Sequence, residues 1–188
     1  MLFDLGSAIL LLAICSFSNA TELQNHDILS NVTIYAYGNS SNGAPIFYDD
    51  GFAYIGASGP GWSKTATNIT FTSDTSSTTV PWNISANVSP APFTGTPSLY
   101  IIPSAGLSQV GFVASDGILP AGAVTTGFTW FGTSVAYVAS SSNYEIRFWA
   151  KPSNETGVWG LYWNSDTTRD DGVFPVTLKR DAPVALSP

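Results

Sequence analysis

Of 188 residues only six are basic and thirteen acidic, giving a formal net charge of −7, and no basic cluster exceeds Lys179-Arg180. That balance argues against nucleic acid and against anionic membrane surfaces as partners. One histidine and one cysteine leave too few ligands for the usual zinc and copper sites, so no metal or other cofactor is expected.

The chain opens MLFDLGSAILLLAICSFSNATEL, almost wholly apolar from Ser7 to Phe17 and ending at Ser18-Asn19-Ala20. Small residues at Ser18 and Ala20 suit signal peptidase, so residues 1–20 are expected to be a signal peptide and the destination extracellular. Asp4 is unusual in such a leader. The apolar core is too short for a bilayer, which needs ~20 apolar residues. Cleavage removes Cys15, leaving residues 21–188 without thiol or disulfide. A chain of roughly 170 residues is self-sufficient, burying ~70% of its unfolded surface. No second hydrophobic run follows, so no membrane span is expected, and the C-terminus lacks a GPI-type tail. Short flexible ends are expected at 21–30 and 181–188, and the dibasic Lys179-Arg180 is a candidate cleavage point for the tail after it.

Beyond the leader, helical periodicity is nearly absent. Twelve short runs recur instead: VTIYAY, PIFY, FAYIG, NITFTS, WNISANVS, SLYIIP, QVGFVAS, GFTWFG, SVAYVAS, YEIRFWA, GVWGLYW and FPVTLKR. Gly, Pro, Ser, Asn and Asp separate them. The pattern predicts one all-β domain, an antiparallel β-sandwich or jelly roll of about a dozen short strands. Between the second and third runs stands Asp49-Asp50-Gly51. Turn chemistry explains every residue of it: a three-residue hairpin with Gly51 in the left-handed region, the aspartates turning the chain and forming no catalytic or metal pair. The stretch GASGPG (Gly56 to Gly61) lacks the helix and lysine of a phosphate loop.

Asn-X-Ser/Thr sequons at Asn31, Asn39, Asn68, Asn83, Asn87 and Asn154 predict N-glycosylation. They also assign faces, because side chains alternate along a strand. Asn83, Ser85 and Asn87 should face out, with Ile84, Ala86 and Val88 in. Likewise Asn68, Thr70 and Thr72 should face out over Ile69 and Phe71, and Asn31 and Thr33 over Val32 and Ile34.

No catalytic residue is assigned. His26, the sole histidine, is expected to be an exposed residue near the N-terminus, far from the arrangement a Ser or Cys nucleophile needs. Asn164, Asp166, Asp170 and Asp171 supply oxygens of the kind calcium takes, but Arg169 sits among them and the spacing matches no EF-hand, so a solvated turn is expected. A glycosidase needs two facing carboxylates. Of Asp116, Glu145, Asp166 and Asp170, only Glu145 lies clearly on a strand. The hairpin YEIRFWAK–PSNETG–GVWGLYWN holds the candidate binding surface. With Tyr144, Ile146, Phe148 and Ala150 inward, and Trp159, Leu161 and Trp163 inward from the partner, the outward patch is Trp149, Tyr162, Arg147, Glu145 and Asn164. In the expected register Arg147 lies beside Tyr162 and Trp149 over Gly160. Exposed aromatics among polar groups grip sugars by stacking, and they also serve simply to cover strand backbone.

The leader, the Cys-free Ser/Thr/Gly-rich β domain, and the phrases PIFYDDGFAYIG and FWAKPSNETGVWGLYWN resemble uncharacterised small secreted β-rich proteins of filamentous ascomycete fungi. The resemblance implies an extracellular or cell-wall location and transfers no functional residue. The expectation is a secreted, non-enzymatic glycoprotein that binds glycans or cell-wall polysaccharide. The alternatives are a polysaccharide-acting glycoside hydrolase using Glu145 and a structural wall protein.

Overall fold

All twelve apolar runs form strands, and four of them break in two. The structure, a computed structural model, describes residues 27–39, 41–57, 59–166 and 171–184. The expected leader, Cys15, His26, Arg169 and Asp170 lie outside those residues. Every strand pairing among the described residues is antiparallel, and no α-helix occurs among them.

One larger sheet contains β1 (Ile28–Val32), β3 (Ala44–Asp49), β4 (Phe52–Ile55), β5 (Thr67–Asp74), β6 (Asn83–Ala86) and β7 (Ser98–Tyr100). It continues with β8 (Leu107–Gln109), β9 (Gly111–Val113), β13 (Phe148–Pro152), β14 (Trp159–Asn164) and β15 (Phe174–Pro175). A smaller sheet holds β2 (Tyr35–Tyr37), β10 (Phe128–Phe131), β11 (Ser134–Ser140), β12 (Asn143–Glu145) and β16 (Thr177–Lys179). Strand β3 joins the two, pairing with β2 through Ala44 and Pro45 and with β4 through Ile46 to Asp49. Pairing of β3 with both β4 and β5 closes the path β3-β5-β6-β7-β9-β4, so this part of the sheet curls on itself.

The breaks have a common cause. Three of the four occur where a run leaves one sheet for the other. VTIYAY divides between β1, which pairs β5, and β2, which pairs β16. YEIRFWA divides between β12, on β11, and β13, on β14. FPVTLKR divides between β15, on β13, and β16, on β2 and β11. Strands that switch sheets at a bend form the corners of packed β architectures. In the fourth, QVGFVAS, buried Val110 donates its N–H to Leu161 O at 2.9 Å and accepts Ala53 N–H at 3.0 Å, while β8 and β9 take different partners.

The core lies between the two sheets. Trp163, fully buried, meets Phe148 at 5.1 Å and, across the gap, Tyr137 at 5.6 Å between ring centroids. Trp82 stacks near Trp130 at 4.7 Å, and Trp130 Nε1–H donates to Ser73 Oγ of the facing sheet at 3.0 Å. Ile34, Ile69, Phe71 and Ile84 are buried as their alternation with sequon residues demands. Five sequon asparagines are exposed, and Asn83 is half-buried with its Oδ1 accepting Ser98 Oγ–H at 2.8 Å.

Three expectations need correcting. Val88 is 54% exposed, because β6 ends at Ala86 and the alternation ends with it. Tyr144 and Ile146 are exposed as well, since β12 turns away to pair with β11 before the inward-facing part of the run begins at Phe148. Asp49-Asp50-Gly51 makes a two-residue turn: Asp49 pairs with Phe52, and both Asp50 (φ 46°) and Gly51 (φ 84°) are left-handed. Positive φ at both central residues is the type I′ geometry that matches strand twist.

Candidate functional site: an aromatic dish on the outer face

Asp49 does more than flank a turn. Its side chain is buried and accepts hydrogen bonds from Ser63 Oγ and, at 2.7 Å, from Thr65 Oγ1. Residues directly opposite on paired strands share a face, so Phe47, two residues before Asp49, shares its side of β3. Phe47 is fully buried yet stands apart from the intersheet core, stacked on Tyr54 at 5.6 Å. Residues 59–66, pinned by Asp49, thus stand on the outer face of the larger sheet.

Beside that loop the outer face dips. One row across the strands runs Lys151, Gly160, Tyr54, Phe47, Asn68, and the next runs Trp149, Tyr162, Gln109. At Gly160 a Cβ would come within 2.8 Å of Tyr162 Cε2, so the glycine lets the Tyr162 ring lie flat over the strand. The result is a dish of about 240 Å³. Tyr54, Gly160 and Tyr162 line its floor, with Gln109 and Lys151 contributing polar atoms. Trp62, from the 59–66 loop, and the turn Pro152-Ser153-Asn154 form the rim. Trp62 is 58% exposed, presenting its ring to solvent. Gly61 N–H donates to Glu155 Oε2 at 2.7 Å, tying loop to turn.

The electrostatics are mild. Lys151 Nζ lies 5.7 Å from the Tyr162 ring centroid, a cation–π contact. Burial, aided by neighbouring Tyr54, raises the Tyr162 phenol above its ordinary value, so it stays a protonated hydroxyl able to donate at neutral pH. Among the described residues the dish is lined by aromatic faces, two amides, three hydroxyls and an ammonium, and no carboxylate side chain. Such a set can stack on a sugar ring and bond its hydroxyls.

The hairpin patch inferred from sequence overlaps this dish only in part. Tyr162 is in the floor, and Trp149 pairs with it one strand over, beside the dish. The register differs by two residues: Trp149 opposes Tyr162 and Lys151 opposes Gly160. The tip is shifted by one residue and no longer than expected: pairing stops at Pro152 and Trp159, and Ser153 N–H bonds Val158 O at 3.1 Å. Asn164 keeps the Tyr162 side of β14 but is buried, its Oδ1 accepting Asp166 N–H at 3.0 Å, so it forms no part of an exposed patch. Arg147 donates to Ser165 O at 2.8 Å and lies 3.4 Å from Glu145. Glu145 itself belongs to β12, opposite Tyr137 of the smaller sheet, with its Oε1 accepting from Asn143 Nδ2 at 3.0 Å. Tyr54, Trp62, Gln109 and Lys151 were not identified from sequence. Each is one outward residue in a separate segment, and only the pairing of β14 with β4, β8 and β13 gathers them. The chain matches no protein-family model, no curated protein and no solved structure with which it was compared.

Proposed function

We propose that this is a secreted, N-glycosylated β-sandwich protein that binds glycan non-enzymatically through the outer-face dish, at the cell surface or in the extracellular matrix. The observation that carries the reading is the convergence of Tyr54, Trp62 and Tyr162, with Gln109 and Lys151, around the gap at Gly160. Rings with polar neighbours in a cleft of about 240 Å³ match a short saccharide in size and chemistry. The leader and the exposed sequon asparagines support the extracellular setting.

The test is a glycan array and an insoluble-polysaccharide pull-down with residues 21–188, beside a Trp62→Ala, Tyr162→Ala double variant. Saturable binding should weaken tenfold or more in the variant while its thermal melt stays cooperative, since two stacking contacts of ~0.5–1.5 kcal/mol each are removed. Absence of binding by the intact protein to every glycan would overturn the reading and favour a structural wall component. Glycan cleavage by the intact protein that Glu145→Gln abolishes would favour the hydrolase instead.

A further inference from the structure

Asn154 lines the dish and is also the acceptor of the sequon Asn154-Glu155-Thr156. Among the described residues, none of the other five sequon asparagines lines it. The turn that carries Asn154 is held at several points. Ser153 Oγ accepts Glu155 N–H at 3.1 Å, Val158 N–H bonds Glu155 O at 3.2 Å, and Glu155 Oε2 accepts Gly61 N–H from the loop that carries Trp62. A sugar linked to Asn154 Nδ2 therefore starts on the wall of the dish, on a short and well-bonded support.

We propose that the first sugars of the chain's own Asn154 N-glycan occupy the dish and compete with glycan from outside. Attachment uses a polyprenyl-diphosphate-linked oligosaccharide as donor. The bond from sugar C1 to Asn154 Nδ2 forms, the bond from C1 to the diphosphate oxygen breaks, and one amide proton is released. The linked N-acetylglucosamine then has the Tyr162 and Trp62 rings within the same dish to stack on, with Gln109 and Lys151 as hydrogen-bond partners. A tethered ligand acts at an effective concentration of the order of millimolar. A site with a dissociation constant of about 0.1 mM for the free sugar would thus lose about tenfold in apparent affinity. The inference rests on the dish being a glycan site, and makes trimming or omission of one glycan the event that opens it.

The experiment compares secreted protein glycosylated at Asn154, verified by mass spectrometry, with a Thr156→Ala variant. Thr156 is exposed and outside the dish, so the variant loses the sequon and keeps Asn154 and Glu155. Both are titrated with N,N′-diacetylchitobiose and applied to a glycan array. The expected result is binding about tenfold tighter to Thr156→Ala than to the glycosylated form. Equal affinities, an Asn154 found unmodified in the secreted protein, or array binding without affinity for the disaccharide would each overturn the inference and leave the dish a glycan site. If neither form binds the disaccharide or any array glycan, the reading of the dish falls, and the inference with it.

Discussion

Asp49 illustrates how one side chain can serve two structures. Its backbone closes the β3–β4 hairpin, while its carboxylate holds Ser63 and Thr65 and so plants the 59–66 loop beside the dish. Replacing it with Ala leaves two half-buried hydroxyls without their acceptor, at a cost of about 1 kcal/mol. The loop should then open locally, and limited trypsin digestion should cut after exposed Lys64 much faster than in the parent chain. Gly160 sits at the other side of the dish. A methyl at Gly160→Ala must push the Tyr162 ring aside, and because the obstacle is the end of a mobile side chain the fold should tolerate it. Glycan affinity should fall roughly three- to tenfold, the worth of one aromatic stacking contact, while the melting temperature changes little. Retained affinity in isothermal titration would mean that the flat pose of Tyr162 is not what the ligand uses.

Among the elements, the β3–β4 hairpin is the one whose sequence most nearly dictates its shape. Asp-Gly between strand-like runs is a strong turn signal, and the turn is there; it is one residue shorter than the sequence suggests because Asp49 belongs to the strand and pairs with Phe52. Gly51→Ala has no steric obstacle, since nothing lies within 4 Å of the added Cβ, but φ is +84°. The expected loss is therefore purely conformational, about 1–2 kcal/mol in urea unfolding. An unchanged midpoint would argue against the type I′ geometry. The hairpin of β13 and β14 was legible in its strands and in its tip but not in its register. Alternation identifies faces with period two, so a slip of two residues leaves the pattern intact. That is why Trp149 and Tyr162 share the outer face while their opposite partners differ from expectation.

At the scale of the whole molecule, stability should decline on the alkaline side. Burial is the largest cause raising the phenols of Tyr37, Tyr48, Tyr100 and Tyr162 above the ordinary 10.0. The folded chain thus holds these protons more tightly than the unfolded one. The sign follows by linkage: the contribution is complete below pH ~10 and disappears as pH climbs from there through the folded values. Urea midpoints should be level from pH 8 to 9.5 and drop toward pH 11; a midpoint that stays level to pH 11 would count against the raised values of these phenols. The sheets are held by packing rather than by an intrachain disulfide, which a single cysteine cannot form. Phe148, Trp163, Tyr137, Phe128, Trp82 and Trp130 form one continuous series of ring contacts through the intersheet core.

Local chemistry was enough to determine the all-β class, the positions of all twelve strand-forming runs, and the burial of Ile34, Ile69, Phe71 and Ile84, since alternation and turn residues act over neighbours in the chain. It was not enough to divide four runs at the corners, because a strand breaks where its partner changes, and partners are remote in sequence. Nor could it assemble the dish. Tyr54, Trp62, Gln109, Lys151 and Tyr162 come from segments whose only relation is that β14 pairs with β4, β8 and β13 while Asp49 holds a loop above them. Long-range pairing, which leaves no local periodic trace, decided the site.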